Sequence, residues 1–289
     1  MRKSQYPKWL HQKLAPSCAA KSTASTLQKN LLFTVCEEAK CPNQRYCYSK
    51  KRATFLVLGN QCTRSCGFCN IAFSKTPCDA DPSEPDRIAK TVKDMNLSHV
   101  VITMVTRDDL PDGGASHIKQ IIKKIKEISS KITIEILTSD FEGNLSSLEI
   151  ALEEKPEIFN HNLETTRRLT NSLRHKAQYD RSLSILQTAK NLKKTLFIKS
   201  GLMVGLGETK DEVKQSITDL KNVGVDIITI GQYLRPHSKK REVKEFVSPE
   251  IFQEYADFGK SIGIKYMLTG PFVRSSYLAD QILEKLSQF

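Results

Sequence analysis

The sequence predicts an α/β fold, a full or partial TIM-type (β/α) barrel with an extension at each end. Apolar β-rich runs alternate with helical patterns from residue 53 to residue 270, in six or seven units. This alternation predicts a parallel sheet with helical crossovers, and the number of units favours a barrel over a doubly wound open sheet. A loop with three cysteines follows the first strand, at the end where such barrels place their chemistry.

Each element follows from the spacing of apolar residues, which is continuous in buried strands and recurs every three or four residues in helices. We predict strands at 53–59, 99–105, 132–138, 157–162, 195–206, 225–231 and 264–270. We predict helices at 84–95, 115–129, 145–154, 209–223 and 248–262, one or two helices within 164–193, and a short helix at 276–288. The segment before residue 53 looks irregular. The predicted domains are therefore an N-terminal extension (1–52), a barrel (53–270) and a C-terminal segment (271–289).

Composition narrows the function classes. The 289 residues are 39% hydrophobic, which allows a sizeable core. No apolar run approaches the roughly 18 residues of a membrane span, and the first residues lack the apolar stretch of a secretory signal. We therefore expect a cytoplasmic protein without a membrane. The formal charge of +12 indicates either a solvated surface or an acidic partner. The basic residues are scattered, which favours an acidic carrier protein over nucleic acid.

The cysteines are clustered. Six of the eight lie between residues 36 and 69. They form two triads: Cys36, Cys41 and Cys47 in a C-x4-C-x5-C pattern, and Cys62, Cys66 and Cys69 in a C-x3-C-x2-C pattern. A reducing compartment disfavours disulfides and leaves metal binding as the default. A 4Fe-4S cluster takes four ligands, so three thiolates leave one iron open. A zinc site, half a zinc knuckle or structural thiols are the alternatives. Cys18 and Cys78 match neither triad.

The second triad (Cys62, Cys66 and Cys69) has an aromatic residue directly before its last cysteine. This pattern resembles the signature of radical S-adenosylmethionine (SAM) enzymes. With the first triad the chain resembles, through nearly its whole length, the lipoyl synthase family. The matching motifs are "PKWL" (7–10), "TVCEEAKCPN" (34–43), "ATFLVLGNQCTRSCGFCNIA" (53–72), "TRDDLPDGGA" (106–115), "HNLET" (161–165), "GLMVGLGE" (201–208), "GQYLRP" (231–236) and "GPFVRSSYLAD" (270–280).

This resemblance implies the roles of the site residues. It implies two 4Fe-4S clusters: Cys62, Cys66 and Cys69 hold the cluster that cleaves SAM, and Cys36, Cys41 and Cys47 hold an auxiliary cluster. It makes Ser276, in "RSSY", the fourth ligand of the auxiliary cluster, and it makes Ser276 and Arg274 catalytic. Asn162 and Glu164 stand where the polar groups of SAM would be held. Gly205 and Gly207 lie in a loop whose backbone would approach the adenosyl group.

The residues alone leave simpler interpretations open. Ser275 and Ser276 resemble N-caps of the last helix. "GLGETK" (205–210) is typical of a strand-to-helix turn that needs positive φ, and it fails the dinucleotide-binding glycine pattern. "DDLPDGG" (108–114) predicts a turn with Asp112 near the N-terminus of the next helix. His161, as a lone histidine, is more typical of a structural residue than of a catalytic one.

The resemblance also implies the reaction and its partners. The family inserts two sulfur atoms at carbons 6 and 8 of an octanoyl chain on a carrier-protein lysine, and the auxiliary cluster is the sulfur donor. The implied partners are octanoylated lipoyl carrier domains, namely the acyltransferase subunits of 2-oxoacid dehydrogenases and the H protein of glycine cleavage. The implied electron donor is a small ferredoxin or flavodoxin.

Two other functions compete with this one. A methylthiotransferase would share the three-thiol loop but would bring an RNA-binding module, for which the chain has no room. A zinc- or cluster-bearing binding protein would use its basic surface on nucleic acid.

The chain departs from the family pattern at two places. Gln44, Arg45 and Tyr46 stand where smaller residues are usual, and His175 and Lys176 replace a common Pro-Gly pair. No implied ligand is lost, but the second change puts the local loop shape in doubt.

Overall fold

The computed structural model describes residues 6–12 and 17–286, without the side chains of Ser17 and Glu284. Its strands are β1 Phe33–Thr34, β2 Thr54–Val57, β3 Gln61–Cys62, β4 Ala72–Phe73, β5 His99–Met104, β6 Thr133–Leu137, β7 Ile158–Asn160, β8 Phe197–Val204, β9 Ile227–Gln232 and β10 Tyr266–Gly270. Its helices are α1 Ser17–Lys29, α2 Val35–Glu38, α3 Gln44–Ser49, α4 Glu84–Met95, α5 Ala115–Ile128, α6 Leu145–Leu152, α7 Arg167–Leu173, α8 Tyr179–Leu192, α9 Lys210–Asn222, α10 Pro249–Ser261 and α11 Ala279–Leu286, with 3-10 turns at Lys8–Leu10 and Phe141–Gly143.

Eight strands form one sheet in the order β1-β2-β5-β6-β7-β8-β9-β10. The β1–β2 pair is antiparallel and the other neighbours are parallel. The order follows the chain without the reversal of a doubly wound sheet. Among the described residues β10 pairs with β9 alone, so the sheet does not close. The predicted (β/α) barrel is confirmed, in its partial form.

The helices cover the outside of this sheet with the apolar faces that their periodicity predicts. In α5, for example, Ile118, Ile121 and Ile125 are fully buried and join the core made by the strands. Thr209 begins α9 with a reciprocal capping box to Glu212. The strands and helices predicted between residues 53 and 270 are all present, and the segment 164–193 holds two helices.

The N-terminal segment is more regular than predicted. Three helices and a short strand lie between residues 17 and 49, where we expected irregular structure. That prediction is wrong because these helices are short or weakly amphipathic and depend on tertiary contacts. Thr23 of α1, for example, donates a hydrogen bond to the carbonyl oxygen of Tyr48 in α3 (2.8 Å). Residues 1–5 and 13–16 of the predicted extension lie outside the described residues.

The C-terminal helix packs across the amino-terminal ends of the strands. Ile282 and Leu286 of α11 contact Ile158 and Ile227, which begin β7 and β9. The predicted helix 276–288 is shorter, and residues 287–289 lie outside the described part. Because β10 ends at the opposite edge, the segment 271–278 must cross the sheet to reach α11. In the described residues, no helix has the length and apolar character needed to span a membrane.

Candidate active site

A cavity of about 590 Å³ brings together most of the predicted site residues. Its lining includes Cys36, Cys41, Cys47, Cys62, Cys66, Cys69, Asn162, Glu164, Arg274 and Ser276. Gly205 and Gly207, although both are described, lie outside the lining. Residues from the N-terminal segment, the barrel loops and the C-terminal segment therefore share one cavity.

The three-thiol loop, residues 62–69, is fixed at both ends. The short strands β3 and β4 pair in parallel and bring the two sides of the loop together. The Thr63 amide donates to the carbonyl oxygen of Thr106 (3.0 Å), and the Gly67 amide donates to that of Leu173 (2.7 Å). Backbone hydrogen bonds to the loop after β5 and to the last residue of α7 thus hold the three cysteines over the carboxyl ends of the strands.

A buried cation holds the middle of this loop. Arg64 lies between Cys62 and Cys66 and forms ion pairs with Asp108 (2.8 Å) and Asp140 (2.7 Å). All three side chains are at most 7% exposed. Burial favours the neutral form of Asp140, but the Arg64 guanidinium keeps its pKa well below the usual range. The charge of Arg64 is therefore matched, and the loop is tied to the ends of β5 and β6.

The thiols of this triad are close enough to influence one another. Burial raises the pKa of Cys69 to about 12, and the charges of Cys66 and Cys62 add to the effect. Burial also raises the pKa of Cys66. A metal centre would have to displace these protons, since the thiolate is the form that binds metal.

The N-terminal triad forms a second group. Cys36 lies in α2, Cys47 lies in α3, and Cys41 lies between the two helices. Burial raises the pKa of Cys36 to about 12 and that of Cys47 to about 11, and Cys41 adds to both effects. Arg274 is half-buried near this triad: desolvation lowers its pKa, and the charge of Cys41 opposes that change.

The donor set of each triad fits an iron–sulfur cluster. All six thiols are free rather than joined in disulfides. Within residues 6–12 and 17–286, no three His, Cys, Asp or Glu side chains converge on a point that would hold a single metal ion. A cubane binds each thiolate through a different iron, so its ligands need not converge on one point. Clustered, soft thiolates of this kind, one buried and five half-buried, fit the clusters that the resemblance implies.

The C-terminal segment crosses this cavity and places Ser276 next to Thr54 in β2. An added Cβ at Gly231 in β9 would clash with the carbonyl oxygen of Val273, so glycine lets the segment pack directly on the strand. Ser275 Oγ accepts a hydrogen bond from Asn160 (2.8 Å) and donates one to Asn162 (3.0 Å). Its neighbour contacts the opposite wall: Ser276 Oγ accepts a hydrogen bond from Thr54 Oγ1 (2.8 Å).

The prediction that Ser275 and Ser276 cap the last helix is wrong. The helix α11 begins at Ala279, so neither Ser275 nor Ser276 occupies its N-cap position. Both hydroxyls instead bond to side chains inside the barrel. Sequence proximity to a helix suggested the cap, but the barrel interior offers these hydroxyls other partners.

Asn162 and Glu164 face the cavity just after β7. The Asn162 amide donates to Glu164 Oε1 (3.0 Å). Burial raises the pKa of Glu164, while Arg174 and Asn162 oppose that effect. Glu164 adopts a left-handed backbone conformation (φ 64°), which is unusual outside glycine. Such strain is typical of functional positions, and here the side chain lies close to Cys66 and Cys69.

The simpler interpretations hold at three other positions. Gly205 and Gly207 have φ of 95° and 108°, as a strand-to-helix turn requires. Asp112 accepts hydrogen bonds from the amides of Gly114 and Ser116 at the start of α5 (2.9 and 2.8 Å). His161 is structural.

The ring nitrogens of His161 both bond to protein atoms. Nδ1 donates to the carbonyl oxygen of Thr138 (2.9 Å), and Nε2 accepts from Ser182 Oγ (2.9 Å). Burial, with a contribution from Arg174, lowers the pKa of His161 to about 4. The neutral ring therefore serves as a structural bridge near the cavity wall.

His175 and Lys176 give the loop before α8 a defined conformation. Lys176 adopts φ of 59°, in the left-handed region that glycine favours. His175 Nδ1 accepts a hydrogen bond from the amide of Ser65 in the three-thiol loop (3.2 Å). His175 therefore contacts the three-thiol loop directly.

Four site residues escaped the sequence analysis: Thr54, Arg64, Arg174 and Gly231. Arg64 lies inside the "CTRSC" motif, so its position was a usable signal. Arg174 is buried beside Glu164 and Cys66 and donates to the carbonyl oxygen of Leu163 (3.2 Å). The other two carry no local signal, since their role depends on the path of the C-terminal segment.

Known proteins share this sequence and fold. Residues 56–220 match the radical SAM superfamily. The chain is 53% identical to the lipoyl synthase of Protochlamydia amoebophila over 98% of its own length and 88% of that protein. It is 50% identical to the lipoyl synthase of Chlamydia felis (97% and 89%) and 49% identical to that of Chlamydia muridarum (99% and 92%).

Solved structures share the architecture at low sequence identity. The FeFe-hydrogenase maturase HydG from Carboxydothermus hydrogenoformans superposes with a TM-score of 0.57 at 16% identity, covering 81% of this chain and 65% of HydG. Streptococcus suis SuiB bound to S-adenosylmethionine gives 0.59 at 16% identity, covering 78% and 54%. At this identity the likeness shows the fold alone.

Proposed function

Because this chain belongs to the lipoyl synthase family of the radical SAM superfamily, we propose that its single cavity unites two iron–sulfur sites with separate tasks. The chain is a sulfurtransferase that uses SAM and 4Fe-4S chemistry to convert a protein-bound octanoyl group into a lipoyl group. The division of labour within the cavity, and the number of clusters, are the proposal.

One site is the three-thiol loop. Cys62, Cys66 and Cys69 would hold a cluster with one open iron, and SAM would bind there. Asn162 and Glu164 lie at the side of this loop and would hold polar groups of SAM. The backbone around Gly205 and Gly207 is the proposed contact for the adenosyl group, although the cavity lining does not include these two residues.

The second site is formed by cysteines of the N-terminal segment. Cys36, Cys41 and Cys47 would hold the auxiliary cluster, and Ser276 would complete its ligand set. Arg274 is half-buried near Cys41 and would balance the negative charge of the thiolates. An oxygen ligand binds a soft cluster less well than sulfur does, so Ser276 marks the position where the cluster would open.

The reaction explains why two sites share one space. The C–H bonds of carbons 6 and 8 are unactivated, so no side-chain base removes their protons effectively. When bound, SAM and the clusters supply the hydrogen-abstracting radical and the sulfur. The protein supplies position: the cavity orients the octanoyl chain between both sites and excludes water from reactive groups.

The observation that carries this proposal is that both triads and Ser276 line the same cavity. Segments from the N-terminal and C-terminal parts of the chain thus meet at this cavity. We accordingly propose the domain division 1–52, 53–270 and 271–289. The first and last segments would build the auxiliary site, and the barrel would build the SAM site.

The substrate is a lipoyl carrier protein. We propose that the acyltransferase subunits of 2-oxoacid dehydrogenases and the glycine cleavage H protein serve as carriers, and that a ferredoxin or flavodoxin supplies electrons. The net charge of +12 supports an acidic partner, because complementary charge speeds association.

The direct test is anaerobic incubation of the reconstituted chain with SAM, dithionite and an octanoyl-lysyl peptide. Mass spectrometry should show 5′-deoxyadenosine and a peptide with two added sulfurs, and analysis should find about eight iron per chain. Stoichiometric zinc would contradict the cluster assignment. Deoxyadenosine without sulfur insertion would contradict the substrate.

The variant S276A tests the auxiliary site. It should keep deoxyadenosine formation, because the other cluster is intact, but sulfur insertion should fall by at least about 10²-fold, as for loss of a ligand. The control S275A removes the adjacent hydroxyl and should keep the full iron content. Full lipoyl formation by S276A would remove Ser276 from the ligand set.

A further inference from the structure

The hydroxyl of Ser276 is held by a residue from the other end of the chain. Thr54 Oγ1 donates to Ser276 Oγ at 2.8 Å, although 222 positions separate the two residues in sequence. Thr54 begins β2, is only 5% exposed, and lines the cavity. Among the residues that the structure describes, Thr54 is the hydrogen-bond partner of the Ser276 hydroxyl.

The same threonine lies near the N-terminal triad. Thr54 and Cys36 both line the cavity, and the backbone of Thr54 opposes the effect of burial on the pKa of the Cys36 thiol. Ser276 of the C-terminal segment and Cys36 of α2, which the proposed function assigns to one cluster, therefore both lie near one residue of a core strand.

We propose that Thr54 is a positioning residue for the auxiliary site, which fixes Ser276 through its hydroxyl. The inference rests on the proposed function, because it takes Ser276 as a ligand of the auxiliary cluster. Metal-ligating side chains commonly need such outer partners to hold their orientation.

The local structure shows why Ser276 needs this help. Residues 271–278 form turns rather than a helix or strand, so no regular backbone pattern fixes the side chain. Neighbouring contacts anchor the segment at other points: Asn43 donates to the carbonyl oxygen of Phe272 (2.6 Å), and Ser275 bonds to Asn160 and Asn162. The Ser276 rotamer itself is selected by Thr54, from three staggered alternatives.

Valine tests the proposal, since it keeps the shape of threonine but removes the hydroxyl. In reconstituted full-length T54V, we expect a chelator to extract iron from the auxiliary cluster about 3- to 10-fold faster, as for loss of one hydrogen bond. T54S keeps the hydroxyl and should restore the wild-type rate. T54A is a second hydroxyl-free variant, so the comparison does not depend on tolerance of valine.

Two controls separate positioning from general damage. T91V removes a buried hydroxyl that bonds within α4 (2.8 Å), outside the site, and should leave iron release unchanged. In an S276A background, T54V should add no further effect, because the partner of the hydroxyl is already gone. The electron paramagnetic resonance signal of the reduced auxiliary cluster should change in T54V and S276A but not in T91V.

The outcomes are distinct. Wild-type iron release in T54V, or an equal effect of T54V with and without Ser276, would overturn the role of Thr54. Wild-type release in S276A would instead overturn the ligand assignment on which the proposal rests. A faster rate in T54V that T54S restores and S276A abolishes would support it.

Discussion

At the scale of single residues, the site depends on hydroxyl and amide groups whose partners come from distant segments. Ser275 and Ser276 are adjacent, yet their hydroxyls contact opposite walls of the cavity. Glu164 adopts a strained backbone conformation and lies near Cys66 and Cys69. The chemical type of each residue was visible in the sequence, while its partner was not.

The buried histidine gives the apoprotein a pH-dependent stability. The folded-state pKa of His161, about 4, is lower than its ordinary value of 6.5, so the unfolded chain binds the proton more tightly. Its contribution is present above pH 6.5 and is lost as the pH falls towards 4. We expect on the order of 2 kcal/mol to be lost between pH 7 and pH 5.

Urea unfolding of wild type and H161Q at several pH values measures this effect. The glutamine variant retains a donor and an acceptor but does not titrate, so its stability should fall less with pH. Parallel pH profiles for the two proteins would show that His161 does not contribute.

At the scale of elements, the three-thiol loop lies where (β/α) barrels place their active-site residues. Its strand, β2, was predicted from an apolar run, and the loop follows it as the barrel rule requires. The helices of the N-terminal segment were missed because their apolar pattern is weak. Local periodicity predicts an element well only where the element carries its own amphipathic signal.

The buried ion pairs of Arg64 should govern the stability of that loop. R64M leaves the buried carboxylate of Asp108 without its counter-charge and removes one cation from Asp140, which keeps its pair with Arg181. Loss of these buried pairs costs about 3–5 kcal/mol. Chemical unfolding of the apoprotein measures the loss. As a control, K210M removes a pair with Glu254 whose side chains are 49% and 48% exposed, and should cost less than about 1 kcal/mol. Equal losses in the two variants would show that Arg64 is not a structural anchor.

At the scale of the whole molecule, the open sheet and the two chain ends form one unit. The C-terminal segment crosses the cavity, and α11 then packs against the first residues of β7 and β9. The proposed auxiliary site would therefore be assembled only when the segments 17–49 and 271–286 have both docked. The surplus of positive charge is a property of the same whole molecule.

This charge predicts salt-dependent recognition of the carrier. Raising the ionic strength from about 0.05 M to about 0.3 M should increase KM for an octanoylated carrier domain about 3- to 10-fold, because screening weakens association of opposite charges. A short neutral octanoyl-lysyl peptide is the matched control and should show little change. Steady-state assays with both substrates measure the difference, and equal salt effects would contradict an electrostatic role for the surface.

The sequence by itself determined the fold class, the two cysteine triads and the family, because hydrophobic periodicity and ligand spacing are local properties of a chain. The tertiary structure alone decided that Ser276 meets Thr54, that Gly231 admits the C-terminal segment, and that Arg64 joins three loops. These contacts join residues far apart in sequence, up to 222 positions for Thr54 and Ser276. They depend on strand register and on the path of a segment with no periodic signal, and both are fixed only when the whole chain packs.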